Sequence, residues 1–373
     1  MDISWLSPVY EAQGPFATVH LDVSRNDENA AHEVELRWRG AREQLASAGA
    51  PDDLLDQIEP AALALPEIAG SAGRTIVGTA QEGVLLDRAV PGPLQDSTTW
   101  GPLPDVVPLL RRLGSRPPYV LVLLDRQGAD IEVWGPSEGT PRETETVKGG
   151  NYPIRKVKVG GWAHHRYQHR ADNLWRDNAE KVAEDIERLV ATTGTGLVAV
   201  AGDEQAYGRL NGALSERTMQ MLVVLEHGSR AAGSDRELVD EEIEQLISQH
   251  EVQQIERVLE EFREQRGRGE RAVEGVDATC DALRRAQVQT LLLVEDVARD
   301  QTVYVGSQAF VLGVTEDEVT ALGEIAKGVD APAGLTRAAA ATDAAVVLVP
   351  REMEPLKDGV GAVLRYADES TPS

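Results

Sequence analysis

The spacing of apolar and polar residues predicts an α/β protein. Phe16-Ala17-Thr18-Val19-His20-Leu21-Asp22 alternates with the period of a strand. A helix is predicted from roughly Glu28 to Ala48, followed by an apolar run at Thr75 to Thr79 and a strand-like Gly83 to Leu86. Pro102 to Pro118 is rich in proline, which blocks helix interiors and central strands, and it reads as a linker. Tyr119 to Asp125 is a continuous apolar run, expected of a strand buried on both faces. Arg126 to Ala129 turns the chain into a second strand, Asp130 to Trp134. Leu174, Asn178, Val182, Ile186 and Leu189 then recur at helical spacing, with Asp172 available as a cap.

Leu197 to Ala201 predicts another buried strand, ending at Gly202-Asp203. Ser234 and Glu237 have the Ser-x-x-Glu spacing of a capping box. Behind them, Ile243, Leu246, Ile247, Ile255, Val258, Leu259 and Phe262 mark the stripe of a long helix reaching Gly267-Arg268-Gly269, long enough to bridge two domains. A helix around Ala278 to Ala286, strands at Thr290 to Val294 and Ala345 to Pro350, and a closing strand from Gly359 to Tyr366 complete the pattern. Strands alternating with helices give the fold class, α/β. No internal repeat or extended low-complexity segment is present.

At 373 residues the chain is long enough for two or three domains. Charge divides it into three segments, with balances of -8 over 1–116 (17 acidic, 9 basic), -2 over 117–230 (16 and 14) and -15 over 231–373 (29 and 14). The net charge of -25 disfavours a general DNA coat. The single cysteine, Cys280, excludes an intramolecular disulfide framework and any cysteine-rich zinc site. Met1 to Trp5 lacks the basic-then-apolar pattern of a leader, and no apolar run is long enough to span a bilayer, so a cytoplasmic protein without membrane contact is expected.

Against this acidic background one stretch differs. From Thr146 to Ala171 there are six cations, Lys148, Arg155, Lys156, Lys158, Arg166 and Arg170, and no carboxylate. The same window holds Gly160-Gly161, the aromatics Tyr152, Trp162 and Tyr167, and His164, His165 and His169. Cations neutralise phosphates, flat rings stack on bases, and paired glycines let a backbone bend close to its target. A loop that reaches for a polyanion is the chemistry this composition suits; a merely solvated basic loop is the bland alternative.

Other motifs point to no self-contained catalytic machine. His165 and His169 are four apart, but Arg166 stands where a zinc hydrolase needs glutamate, and the surrounding charge opposes a divalent cation. No Gly-x-Ser-x-Gly elbow is present. Gly202-Asp203 follows a strand without a Walker or Gly-x-Gly-x-x-Gly pattern, and reads as a strand-ending turn. Glu241-Glu242 reads as the solvated face of a helix, and Gly359-Val360-Gly361 as close packing of a terminal strand. No cofactor is called for.

Gly160-Gly161-Trp162-Ala163 through Arg166, Arg170, Asn178 and Lys181-Val182-Ala183-Glu184 resembles the Gly-Gly-Gln loop and following helix of archaeo-eukaryotic release factors and Pelota. The run Leu121 to Gly128 resembles the start of that family's middle domain. Cys280-Asp281-Ala282-Leu283 with Val288 to Leu292, and the closing Gly359 to Tyr366, are similar to the opening and the last strand of its third domain. Gly14-Pro15-Phe16-Ala17-Thr18-Val19 resembles the start of the family's bacterial branch, which includes ribosome-hibernation factors. The resemblance implies three mixed α/β domains. These are an N-terminal domain (1–116) on the decoding-centre side, a middle domain (117–230) with the modified loop, and a C-terminal domain (231–373) of the kink-turn ribosomal-protein type.

It further implies a ribosome partner, with the loop in the A site near the peptidyl-transferase centre, and a translational GTPase such as elongation factor Tu as a possible second partner. Arg155, Lys156, Lys158, Arg166 and Arg170 are then expected on ribosomal RNA phosphates. Gly160 and Gly161 allow the bend, and Trp162, His164, His165, Tyr167, Gln168 and His169 meet nucleotides. The family's catalytic glutamine is replaced by Trp162, whose indole has no amide donor–acceptor pair to place a water. Occupation of the A site without peptide release, as in hibernation or stress, is the leading expectation. A rescue hydrolase using Gln168 and, last, an RNA-cleaving enzyme using the histidines are the alternatives.

Overall fold

The computed structural model describes residues 1–25, 29–66, 71–114, 117–125, 127–135, 142–148, 162–228 and 236–368; the side chains of Lys148, Glu237 and residues 162–175 fall outside the description. The chain forms two compact units, Met1–Gly114 with Val252–Ser373, and Ser115–Glu251.

The first unit opens with a 3-10 turn at Ser4–Leu6 and α1 (Ser7–Glu11), then β1 (Phe16–Asp22), α2 (Ala30–Ser47), α3 (Asp52–Leu63), β2 (Ala72–Thr79), β3 (Gly83–Pro91), β4 (Ser97–Gly101) and α4 (Val107–Leu113). The strands form an antiparallel sheet in the order β3-β2-β1-β4. The alternation in β1 aims Ala17, Val19 and Leu21 at Val34, Trp38 and Leu45 of α2 and at Leu54, Leu55 and Ile58 of α3. Thr18 and His20, on the opposite face, are just as buried. Helix α4 lies within the supposed linker and corrects it. Its proline, Pro108, sits in the first turn, where no backbone N–H is needed, and Val107, Leu109, Leu110 and Leu113 are core residues.

The second unit carries β5 (Tyr119–Asp125), β6 (Gly128–Trp134), β7 (Glu143–Lys148), α5 (Trp162–Thr193), β8 (Leu197–Gly202), α6 (Glu204–Asn211), α7 (Glu216–Met219), β9 (Leu222–Val224) and the first half of α8 (Arg236–Arg268). The sheet order is β7-β6-β5-β8-β9, with β5, β8 and β9 parallel and the β6–β7 hairpin antiparallel. β5 is buried on both faces as its apolar run predicts. Val120, Val122 and Leu124 face α5 and α6, and Tyr119 and Leu121 face Val239, Ile243 and Ile247 of α8. Ser234, the expected cap, lies outside the described residues; Arg236 in the first turn of α8 makes a two-bond contact with Glu132 on β6, at 2.7 and 2.8 Å.

From Val252 onward α8 belongs to the first unit, where Ile255, Leu259 and Phe262 pack on a mixed sheet. That part continues through β10 (Ala272–Glu274), α9 (Val276–Arg284), β11 (Val288–Leu293), α10 (Glu295–Ala298), β12 (Thr302–Val305), β13 (Leu312–Gly313), α11 (Glu316–Thr320), β14 (Lys327–Asp330), α12 (Ala331–Ala341), β15 (Ala345–Leu348) and β16 (Val360–Leu364). The main sheet is ordered β10-β16-β11-β15, and β13-β12-β14 form a smaller one. The glycines of the closing motif serve close packing. A Cβ on Gly361 would stand 3.1 Å from the Phe262 ring, and Gly359 adopts a φ of +71°.

One hydrophobic core joins the two ends of the chain: Ile3, Leu6, Leu109 and Leu110 share it with Leu335, Ala339, Val346 and Leu364. The Met1 carbonyl accepts from the Val346 amide at 2.9 Å. At the margin of this core Arg299 donates to both oxygens of Asp105 (3.1 and 2.9 Å), to Glu295 (2.8 and 3.0 Å) and to Asp330 (3.2 Å). Arg111 pairs with the same Glu295. Beside them the His20 ring bridges Thr75 Oγ1 (2.8 Å) and the Asp105 carbonyl (2.9 Å). Burial pushes the His20 pKa down, which holds the imidazole neutral.

Candidate nucleic-acid interface

The residues singled out for RNA contact belong to the connection from β7 into α5. Lys148 pairs opposite Gly128, so the chain leaves the sheet beside the β5–β6 turn. Arg155, Lys156, Lys158, Gly160 and Gly161 lie outside the described residues. Trp162, His164, His165, Arg166, Tyr167, Gln168, His169 and Arg170 stand on the opening turns of α5, with backbone described and side chains not.

This corrects the expectation of a loop closed by an Asp172 cap: the helix starts at Trp162, and Asp172 lies inside it. The physical reason is in the sequence. No glycine or proline interrupts residues 162–193, and Ala, Arg, Gln and Leu favour the helix. An aspartate caps only where the chain is otherwise free to leave helical angles.

α5 has an anchored part and a leading part. Asn178, Ala179 and Val182 line a small recess with Leu124, Asp125 and Gly128, at the ends of β5 and β6, and with Gln205 and Arg209 of α6. Beyond that level Val182, Ile186 and Leu189 are fully buried against the sheet. Arg188 adds a bond to Glu145 of β7 at 2.6 Å. The residues of α5 before Asn178, from Trp162 to Asp177, make up about 24 Å of helix at 1.5 Å per residue. Positions 162, 166 and 170 recur every four residues and share one side of it, whereas 164 and 168 share another. Trp162, Arg166 and Arg170 therefore form one row of the backbone, and Gln168 belongs to a different one.

The structure adds detail at the strand ends. Gly202 closes β8 with a φ of +131°, and a Cβ there would stand 1.9 Å from the Leu124 carbonyl oxygen, so only glycine fits. Asp203 then caps α6, accepting from the amides of Gln205 and Ala206 at 3.0 Å each. The Gly-Asp pair is thus the strand-ending turn expected of it. Glu242 differs from expectation: rather than facing solvent, it accepts from the Glu226 amide at 2.8 Å and pairs with His227. Glu226, His227 and Glu242 bring their ligand atoms within 4.8 Å of one another, and the bonds inside the group account for that proximity. Among the described residues no helix is long and apolar enough to cross a membrane.

Residues 118–268 match the family model described as bacterial archaeo-eukaryotic release factor family 2. Over 359 residues, 95% of this chain and 94% of theirs, it is 30% identical to two uncharacterized proteins of Mycobacterium tuberculosis. Among solved structures it is similar to ribosome-bound archaeal Pelota, described together with ABCE1, at 13% identity and a TM-score of 0.41, covering 98% of this chain and 94% of that one. Pelota of Archaeoglobus fulgidus is similar at 16% identity and a TM-score of 0.35, covering 79% and 80%.

Proposed function

Since the chain belongs to the bacterial archaeo-eukaryotic release factors, we propose that it is a ribosome-binding protein that occupies the A site without releasing the nascent peptide. The observation that carries the reading is the carboxylate-free stretch from Thr146 to Ala171, which runs from the end of β7 onto the leading turns of α5. Its cations bind ribosomal RNA phosphates, with Arg166 and Arg170 in one row behind Trp162. The same proposal directs 1–116 toward the decoding centre, 117–230 toward the peptidyl-transferase centre and 231–373 toward a translational GTPase or the ribosomal stalk base, the first and last parts sharing one hydrophobic core.

Trp162 replaces the amide that places the hydrolytic water in the family's release factors. Gln168 is no substitute. It stands six residues along the helix, about 9 Å at 1.5 Å per residue, and its position is off the Trp162 row. Silencing or protecting ribosomes, as in hibernation, follows from occupation without hydrolysis.

The test is co-sedimentation of the full chain with 70S ribosomes, wild type against an Arg166→Ala/Arg170→Ala double variant, with peptidyl-tRNA hydrolysis measured in the same samples. Binding that the double variant weakens tenfold or more, with no hydrolysis, is the expected result. Affinity should fall with salt at a log–log slope of roughly -0.7 per neutralised phosphate of single-stranded RNA. Release activity lost in Gln168→Ala would replace this reading with the rescue hydrolase.

A further inference from the structure

The small sheet β13-β12-β14 presents two loops whose apolar side chains face solvent. Ile325 is 83% exposed, Leu322 57% and Phe310 46%. Solvated aliphatics occur singly on most surfaces, but here they stand on loops that are tied to each other. Glu324, between Leu322 and Ile325, accepts from the Ser307 amide at 3.1 Å, the Ser307 hydroxyl at 2.6 Å and the Gln308 amide side chain at 3.4 Å. From the inner side buried Arg337 donates to the carbonyls of Gly306 (2.9 Å) and Ser307 (2.5 Å). The loop bearing Phe310 and the loop bearing Leu322 and Ile325 are therefore held as one unit before any partner arrives, which lowers the ordering cost of binding.

The loops themselves are acidic, with Arg284 against Glu318 at 3.4 Å and Arg337 on their inner side. Residues 306–326 contain Glu316, Asp317, Glu318 and Glu324 and not one lysine or arginine, and Glu316 and Asp317 are exposed. The next cation along the chain is Lys327. An apolar tip set in acidic surroundings repels nucleic acid and complements a protein segment that places aliphatic side chains between cations.

We propose that Phe310, Leu322 and Ile325 form a docking surface for a basic, apolar protein segment, separate from the RNA-binding stretch of the middle domain. The surface is independent of the ribosome reading, since it rests on the exposure and charge of this sheet alone.

The experiment titrates the full chain with a short labelled helical peptide of leucine and lysine, and with the same peptide carrying glutamate at each lysine. Fluorescence anisotropy reads binding at low and high salt. The lysine peptide should bind and the glutamate peptide should not. Leu322→Ser/Ile325→Ser, which alters exposed side chains and leaves the charge unchanged, should weaken binding about tenfold. Glu316→Gln/Asp317→Gln should weaken it less and flatten its salt dependence. Arg166→Ala/Arg170→Ala should bind the peptide as wild type does. Equal binding by wild type and the serine variant would overturn the proposal, because general attraction to an acidic protein would then explain it. Binding of a single-stranded RNA that the serine variant loses would overturn it in favour of a nucleic-acid site. Dimerisation in sedimentation velocity that the serine variant abolishes would assign the surface to a second copy of this chain.

Discussion

Arginine is used in two opposed ways in this molecule. At the seam between the chain's two ends, Arg299 meets three carboxylates, Asp105, Glu295 and Asp330, and Arg111 shares one of them. In the stretch leading into α5, Arg155, Arg166 and Arg170 have no carboxylate among their sequence neighbours from Thr146 to Ala171. The first set of charges is satisfied within the fold. The second is the set that the proposed function assigns to a partner supplying the anions. A protein with a net charge of -25 has carboxylates to spare, so their exclusion from one stretch is the informative fact.

The contrast breaks most visibly at Arg299. Arg299→Ala leaves Asp105, Glu295 and Asp330 together without their shared cation, at side-chain exposures of 13%, 8% and 32%. The expected loss is about 2–3 kcal/mol, less than for a fully buried pair because the guanidinium is itself partly solvated and Glu295 keeps Arg111. Chemical denaturation of the full chain checks it, and a loss below about 0.5 kcal/mol would show the seam to be held by its apolar core alone.

A smaller effect is expected from His20 at the same seam. Its folded pKa is lowered by burial, so the folded state binds its proton less readily than the unfolded chain does. The stability this confers is complete above the unfolded value near 6.5 and is lost as pH falls through the folded value. The denaturation midpoint should therefore decline as pH drops below about 6.5. His20→Asn should flatten that decline, at the cost of a lower midpoint at neutral pH. A decline of the same steepness in the variant would assign it to other groups.

The smallest stability effect is expected where the functional effect is large. Arg166→Ala/Arg170→Ala should shift stability by no more than about 0.5 kcal/mol, the range of surface substitutions without structural partners. Thermal unfolding of the double variant measures this directly. A large loss would mean that these arginines are used within the fold, as Arg299 is.

Much of the fold was legible in local pattern. β1 and β5 begin and end at the residues their apolar patterns predict, Phe16–Asp22 and Tyr119–Asp125. The stripe Val182, Ile186 and Leu189 faces the core, and α8 stops at Arg268, beside the predicted glycines. The failures have physical causes. Proline at a helix's first turn costs nothing, so counting prolines turned α4 into a linker. α3 is not among the predicted elements, and it keeps Pro60 within its last turn. Asp172 has the residue type of a cap, whereas helix continuation depends on every neighbour. Glu242 looked solvated because its partners, His227 and the Glu226 amide, reach it only through the fold.

For the candidate site, the sequence by itself determined the chemistry: the cations, the paired glycines, the tryptophan after them and the absence of carboxylates are all matters of composition and order. It determined strand and helix positions wherever burial follows a local period. Only the tertiary structure decided what covers the second face of β1 and which anions meet Arg299. It also decided that Asn178 and Val182 of α5 sit by the ends of β5 and β6. These depend on contacts between residues far apart in the chain, such as Met1 with Val346, and local periodicity holds no information about which distant surface a given face will meet.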